Sequence, residues 1–274
     1  MPELPEVEFA RSCLERWLVG KKLAKVEADR TRLIRGASVA DVEALGGHRV
    51  KRIARKGKLL LWELDAGISV LSHLGMTGKF ELQKPGDPDV RWSRVRFTRA
   101  DGARVHFQDQ RQFGRFLPGP IEVVRNEEGF RTLGRDAWEE PFSPKELHSA
   151  LTGRKRAVKD VLMDQTVLAG VGNIQATEAL WKAGIHPSRP ASSLTEAECA
   201  RLMKGIHWTL KRTLEMNKGD KISYVEEGEV DNPFLIYARS GEPCPKCGRT
   251  LEKIVIGGRT SAFCPKCQPL GTGR

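Results

Sequence analysis

Two pairs of cysteines near the carboxy terminus constrain this chain more than any other feature. Cys244-Pro-Lys-Cys247 and Cys264-Pro-Lys-Cys267 are C-x2-C knuckles separated by sixteen residues, a spacing that lets four thiolates enclose one tetrahedral Zn2+. Four sulfur ligands fill the coordination sphere and leave no position for water, so the single Zn2+ predicted here is structural rather than catalytic. From Cys244 onwards six basic residues (Lys246, Arg249, Lys253, Arg259, Lys266, Arg274) face one acid, Glu252, which suits contact with phosphates. Arg259, in Gly257-Gly258-Arg259-Thr260 between the knuckles, stands where a β-hairpin tip projects a guanidinium towards nucleic acid. The residues alone also suit a zinc ribbon that stabilises a chain end or binds protein.

The rest of the chain agrees with a polyanionic partner. Its 46 Lys and Arg against 35 Asp and Glu give a net charge of +11, as expected of a nucleic-acid-binding protein. No apolar run is long enough to span a membrane, and the N-terminus has neither a basic n-region nor an apolar h-region, so a cytoplasmic protein without a membrane partner is expected. In that compartment clustered cysteines favour metal over disulfides. Cys13 and Cys199 stand apart from the cluster and are expected to be buried apolar residues.

At 274 residues the chain is long enough for two domains. Val7, Ala10, Leu14, Trp17 and Leu18 recur at helical spacing and predict a helix over 6–18. From about 25 to 116 short β-type runs follow, such as 59–64, 95–97 and 104–107, separated by Gly, Asp and basic turns, and suggest a sandwich or barrel. Residues 117–144, rich in Pro, Gly and charge, read as a hinge. Beyond it Ser143 is a good N-cap for a helix ending at 151, and further helices are predicted over 155–164, 173–184 and 195–216. The fold class expected is α+β. Its domains are a 1–131 catalytic region, a 143–237 helical DNA-binding region and a 238–274 zinc finger.

The opening Met1-Pro2-Glu3-Leu4-Pro5-Glu6-Val7-Glu8 carries a second chemical signal. A small second residue favours removal of Met1, leaving Pro2 with a free secondary amine, and an α-amino group titrating near roughly pH 8 is partly nucleophilic at neutrality. Glu3 and Glu6 lie one helical turn apart and are suited to shuttle protons to and from that amine. The same residues also suit a plain helix start whose acids complement the dipole. In Gly170-Val171-Gly172-Asn173-Ile174 the glycines let backbone approach a phosphate at a helix start, or form an ordinary turn with an Asn cap.

The opening octet resembles the signature of the formamidopyrimidine-DNA glycosylase family, which includes an endonuclease VIII branch. KDVLMDQTVLAGVGNIQATE from Lys159 to Glu178, continued by Ala183-Gly184-Ile185-His186-Pro187, resembles that family's helix-two-turn-helix segment, and the YAR-x-GEPC-x2-C and GRTSAFC-x2-C stretches resemble its zinc finger. The resemblance implies an N-terminal helix with an antiparallel β-sandwich, then a helical domain with a four-cysteine finger, and damaged double-stranded DNA bound in the cleft between, by a monomer. It implies that Pro2 attacks C1′ of the damaged nucleotide, displaces the base through a Schiff base and cleaves the strand by β- and δ-elimination. Glu3 then matches the acid assisting ring opening, Glu6 an acid ordering the centre, and Lys58 the lysine gripping the phosphate beside the lesion. Arg259 joins the catalytic set and the DNA contacts. Lys159 and Asn173 match further phosphate contacts.

Removing a base from a duplex requires flipping it out and filling the hole. Met76, Arg111 and Phe113 match the family's three void-filling residues and are chemically suitable, although a Met or Phe in strand-rich sequence is often core. His73 is expected to be structural. Oxidised purines, 8-oxoguanine and formamidopyrimidines, are the implied substrates. An endonuclease VIII-like preference for oxidised pyrimidines and a non-catalytic DNA-binding relative are the alternatives. Four departures from the family pattern stand out: Gln112 for a basic residue, Gln175 for Tyr, Ala238 for Gly, and an altered 219–234 stretch where the family reads the lesion.

Overall fold

The computed structural model describes residues 2–217 and 231–270, so most of the 219–234 stretch lies outside the described residues. The chain divides into two compact units, one built on Met1–Thr132 and the other on Leu133–Glu215 and Val230–Arg274.

The first unit opens with helix α1, Leu4–Leu18, whose periodic apolar residues Val7, Ala10, Leu14, Trp17 and Leu18 are all buried. The helix begins two residues earlier than its apolar spacing predicts. Glu3 caps it and Pro5 occupies the first turn, where a missing N–H costs nothing. After β1 (Leu23–Ala28) and the short helix α2 (Val39–Glu43) come strands β2 (Val50–Lys56), β3 (Leu59–Leu64), β4 (Ile68–His73), β5 (Lys79–Gln83), β6 (Ser93–Arg99), β7 (Arg104–Gln108) and β8 (Arg115–Pro120). They form two four-stranded sheets, ordered β1-β6-β7-β5 and β2-β3-β4-β8, with every pair antiparallel.

Aromatic residues join the sheets. Trp62 of β3 lies 5.5 Å from Phe80 and 5.3 Å from Phe97 between ring centroids, and Phe116 of β8 lies 5.7 Å from Phe97. The Trp62 indole would be costly to bury without a partner for its N–H, and it donates to Ser72 Oγ at 2.9 Å. This is the antiparallel sandwich with an N-terminal helix that was expected. The 117–144 stretch is more ordered than a hinge. It holds the end of β8, helices α3 (Ile121–Arg125) and α4 (Glu128–Arg131), and strand β9 (Arg135–Asp136). The salt bridges Arg115–Glu127 and Arg125–Glu63 fasten the two short helices to the sandwich.

The second unit is mainly helical: α5 (Pro144–Leu151), α6 (Val158–Leu162), α7 (Asn173–Ala183) and α8 (Glu196–Met216), with strand β10 (Leu168–Ala169) paired in parallel to β9. Ser143 caps α5 by accepting from the Glu146 N–H, and Glu146 returns a bond to the Ser143 N–H. The last strands, β11 (Glu252–Ile256) and β12 (Arg259–Phe263), form the hairpin between the cysteine knuckles. Its two-residue turn, Gly257-Gly258, has φ of 54° and 73°, the backbone of a tight hairpin that only glycine adopts without strain. Arg259 is therefore the first strand residue after the tip. Cys13 and Cys199 are buried, as expected.

Candidate functional site

At the start of α1, Pro2 is buried and Glu3 is only 2% exposed. Glu6 Oε2 accepts the backbone N–H of Glu3 at 2.8 Å, closing a capping box that holds both carboxyl groups beside Pro2. Burial, reinforced by the neighbouring Glu3 carboxylate and opposed by the Glu3 N–H, raises the pKa of Glu6 to about 7. A carboxyl balanced there can both give and take a proton at neutral pH.

Lys58 sits in the two-residue turn Gly57-Lys58 between β2 and β3. Two residues that gave no sequence signal fasten this turn to α1. Arg55, its side chain wholly buried, donates from Nε to Glu8 Oε2 of α1 at 2.9 Å and from Nη1 to the Gly57 carbonyl at 3.2 Å. Forty-seven residues separate Arg55 from Glu8, which is why no local pattern reveals the pair. His73 of β4 is neutral: burial and the nearby charges of Lys58 and Arg115 lower its pKa to about 4. Its Nδ1 accepts the Gly75 N–H at 2.9 Å, a structural role.

The next loop carries Met76, and the loop of residues 109–114 carries Arg111 and Phe113. The two press backbone to backbone. Gly75 has φ of 67°, and a Cβ there would lie 2.4 Å from the Gly114 nitrogen, so only glycine fits. Asp109, fully buried, accepts from Thr77 Oγ1 at 2.5 Å and from the Gly114 N–H at 2.8 Å. Met76 is half-buried, Arg111 is exposed, and the Arg111 guanidinium lies over the Phe113 ring at 4.9 Å. Among the described residues two aromatic side chains are each 48% exposed, Phe113 and Trp92. Trp92 flanks the same loop: its carbonyl accepts the Asp109 N–H at 3.1 Å, while Arg94 donates to the Asp109 carbonyl at 3.2 Å. Arg91 and Arg94 lie 5.9 and 5.8 Å from its ring. Trp92 was missed by sequence reasoning, although a Trp between two arginines is itself a signal. Gln112 offers something no basic residue there could, an acceptor: its Oε1 takes the Thr31 hydroxyl at 2.9 Å.

In the second unit Asn173 begins α7 directly after the N-cap Gly172. Lys159 of α6 has no exposed surface. Its ammonium donates to Asn173 Oδ1 and Thr177 Oγ1, 2.7 Å each, and to Ser261 Oγ of β12. Gln175 is likewise internal, donating to Thr213 Oγ1 at 3.0 Å and accepting from Thr209 Oγ1 at 2.8 Å, which joins α7 to α8. Arg259 is exposed beside the hairpin tip.

The four knuckle sulfurs lie within 4.8 Å of one another, with Cys244–Cys267 at 4.0 Å and Cys247–Cys264 at 3.5 Å. Sulfurs placed tetrahedrally around zinc at about 2.3 Å are roughly 3.8 Å apart, so the side chains fit the ion.

Three family models match the chain in order: the formamidopyrimidine-DNA glycosylase N-terminal domain over residues 1–116, the H2TH domain of the same enzymes over 133–224, and the zinc finger found in FPG and IleRS over 241–270. The formamidopyrimidine-DNA glycosylase of Pelotomaculum thermopropionicum is 38% identical over 274 residues, covering 98% of this chain and 99% of that protein. The chain is a member of the formamidopyrimidine-DNA glycosylase family. Two Lactococcus lactis Fpg structures align across 98% of this chain and 100% of theirs at 30% identity. One is a complex with DNA containing N7-benzyl-Fapy-dG, with a TM-score of 0.87, and the other holds DNA containing an oxidised pyrimidine, with a TM-score of 0.86. Like its relatives, this Fpg-family chain has a zinc-finger domain, and its four cysteines form one structural zinc site. Among the described residues no helix is long and apolar enough to cross a membrane.

Proposed function

We propose that the protein is a bifunctional glycosylase and lyase that removes oxidised purines from duplex DNA, with the Pro2 amine as nucleophile once Met1 is removed. The observation that carries this reading is the capping box at the start of α1, which keeps Glu3 and a Glu6 carboxyl of pKa about 7 beside Pro2. The Pro2 nitrogen forms a bond to C1′ as the C1′–base bond breaks and the base departs with a proton. Glu3 protonates the ring oxygen, the sugar opens, and the Pro2–C1′ linkage becomes an imine. The imine draws electrons as a proton leaves C2′, and the 3′ phosphate is expelled by β-elimination, then the 5′ phosphate by δ-elimination. Lys58, in the turn that Arg55 fastens through the Gly57 carbonyl, neutralises phosphate charge beside the lesion, and Asn173 and Arg259 are further phosphate contacts.

Met76, Arg111 and Phe113 fill the space left by the flipped nucleotide, and Trp92 with Arg91 and Arg94 extends the same face along the DNA. Lys159 acts on DNA through Asn173, which it holds in place. The protein works as a monomer in the cytoplasm, with functional boundaries at 1–131, 143–237 and 238–274. Borohydride reduction on abasic or 8-oxoguanine duplex tests the nucleophile. A covalent adduct is expected from the mature protein and none from Pro2→Gln or from protein retaining Met1. Normal trapping by either would remove Pro2 from its role.

A further inference from the structure

The finger is held against α7 by contacts that the proposed reaction does not use. Trp181, on the last turn of α7, is 3% exposed. The indole has a single donor, and here it points at a cysteine of the metal site: Nε1 lies 3.5 Å from Cys244 Sγ. Lys246, inside the first knuckle, folds back over the same indole with Nζ 4.2 Å from the ring centroid. It also donates to the carbonyls of Trp181 at 2.7 Å and Lys182 at 3.1 Å. These carbonyls belong to the last turn of α7, at the negative end of its dipole, and the Trp181 carbonyl also accepts the Gly184 N–H at 3.1 Å. Helix end, lysine, knuckle, thiolate and indole thus close into a ring.

The second knuckle has its own tie. Gln268 accepts the Cys264 N–H at 2.9 Å and donates to the Ile185 carbonyl, just past α7, at 2.8 Å. Trp181 and Cys244 also share one small apolar cluster with Ile236, Leu251 and Cys264.

Four thiolates around one Zn2+ leave a net negative site, so a donor to sulfur and a nearby cation both stabilise the occupied state and blunt the sulfur's reactivity. We infer that Trp181 and Lys246 are positioning residues for the metal, a clamp that sets how slowly Cys244 gives up zinc. The inference concerns retention of the ion and is independent of which lesion the protein removes.

The test uses the full-length zinc-loaded protein mixed with an excess of a chromophoric chelator. Loss of an outer-shell donor typically costs about 10–100-fold in metal affinity, so Trp181→Phe, which keeps the ring and loses the N–H, should release zinc at least tenfold faster. Lys246→Met should shift release in the same direction by less, and Lys246→Arg should recover most of the wild-type rate. Far-ultraviolet circular dichroism of the loaded proteins should stay at wild-type values, separating the clamp from misfolding. Wild-type release by Trp181→Phe would overturn the inference. If that variant does not fold, Lys246→Met decides by the same criterion: faster release supports the clamp and wild-type release overturns it.

Discussion

Arg111 in the first unit stands in solvent with its guanidinium over an exposed Phe113, whereas Lys159 in the second is shut away from solvent against Asn173, Thr177 and Ser261. Both are basic residues at positions that resemble DNA contacts, yet their surroundings give them different work. An exposed guanidinium keeps its donors for a ligand and costs the fold little. An ammonium without solvent is stable only while its donors are satisfied by the protein, so Lys159 holds α6, α7 and the β11–β12 hairpin together. Similarity of motif therefore does not separate a residue that touches DNA from one that places another residue against it. Burial does.

Lys159→Met breaks this comparison most severely. It leaves the acceptors of Asn173, Thr177 and Ser261 short of a donor, at roughly 1–3 kcal/mol for each group left unsatisfied, and the thermal midpoint should fall by several degrees along with DNA affinity. An unchanged midpoint with weakened DNA binding would make Lys159 a direct contact after all. Arg111→Ala should do the converse. Stability should stay within about 0.5 kcal/mol, while preference for cytosine opposite the lesion should drop by roughly 1–3 kcal/mol, read from single-turnover excision on paired substrates.

A pH-dependent effect is expected at Glu6, whose folded pKa is raised from 4.5 to about 7. Its contribution to stability is complete below 4.5 and is lost as pH rises through 7. Glu6→Gln keeps an acceptor for the Glu3 N–H but cannot titrate. Denaturant midpoints of the variant should therefore be flatter than wild type across this window, and its pH–rate profile should lose the inflection near neutrality. Retention of that inflection would assign it to another group. The smallest change returns to the second unit. Ala238 adopts φ of 61°, strained for any residue with a Cβ, so Ala238→Gly should stabilise the protein by about 0.5–1 kcal/mol after the added chain entropy is subtracted. Calorimetry showing a loss instead would mean that the Ala methyl packs usefully.

The signals that read correctly from the sequence are those whose partners lie close along the chain. The Ser143 cap and the apolar stripe of α1 each depend on residues within a few positions, and the zinc site joins two such short knuckles only sixteen residues apart. Gln112 and Gln175 register in the sequence only as departures from the family pattern, because their partners lie far along the chain. The first reaches Thr31 across 81 residues and the second reaches Thr209 and Thr213 on another helix. The 117–144 stretch read as a hinge since helices of four and five residues carry too little periodicity to register.

By itself the sequence determined the metal and its ligands, the class of fold, the family, and the chemical types gathered at the N-terminus. Local spacing encodes the ligands, the helix cap and the strand runs, because these are geometric relations between near neighbours, while the family rests on the resemblance of the motifs. Only the tertiary structure decided which of those groups face solvent and which are enclosed. Enclosure is what moves the Glu6 carboxyl towards neutrality and lowers the pKa of His73, and it is what makes a lysine 102 residues from its serine partner part of the fold. Desolvation depends on everything packed around a group, and no short stretch of sequence carries that information.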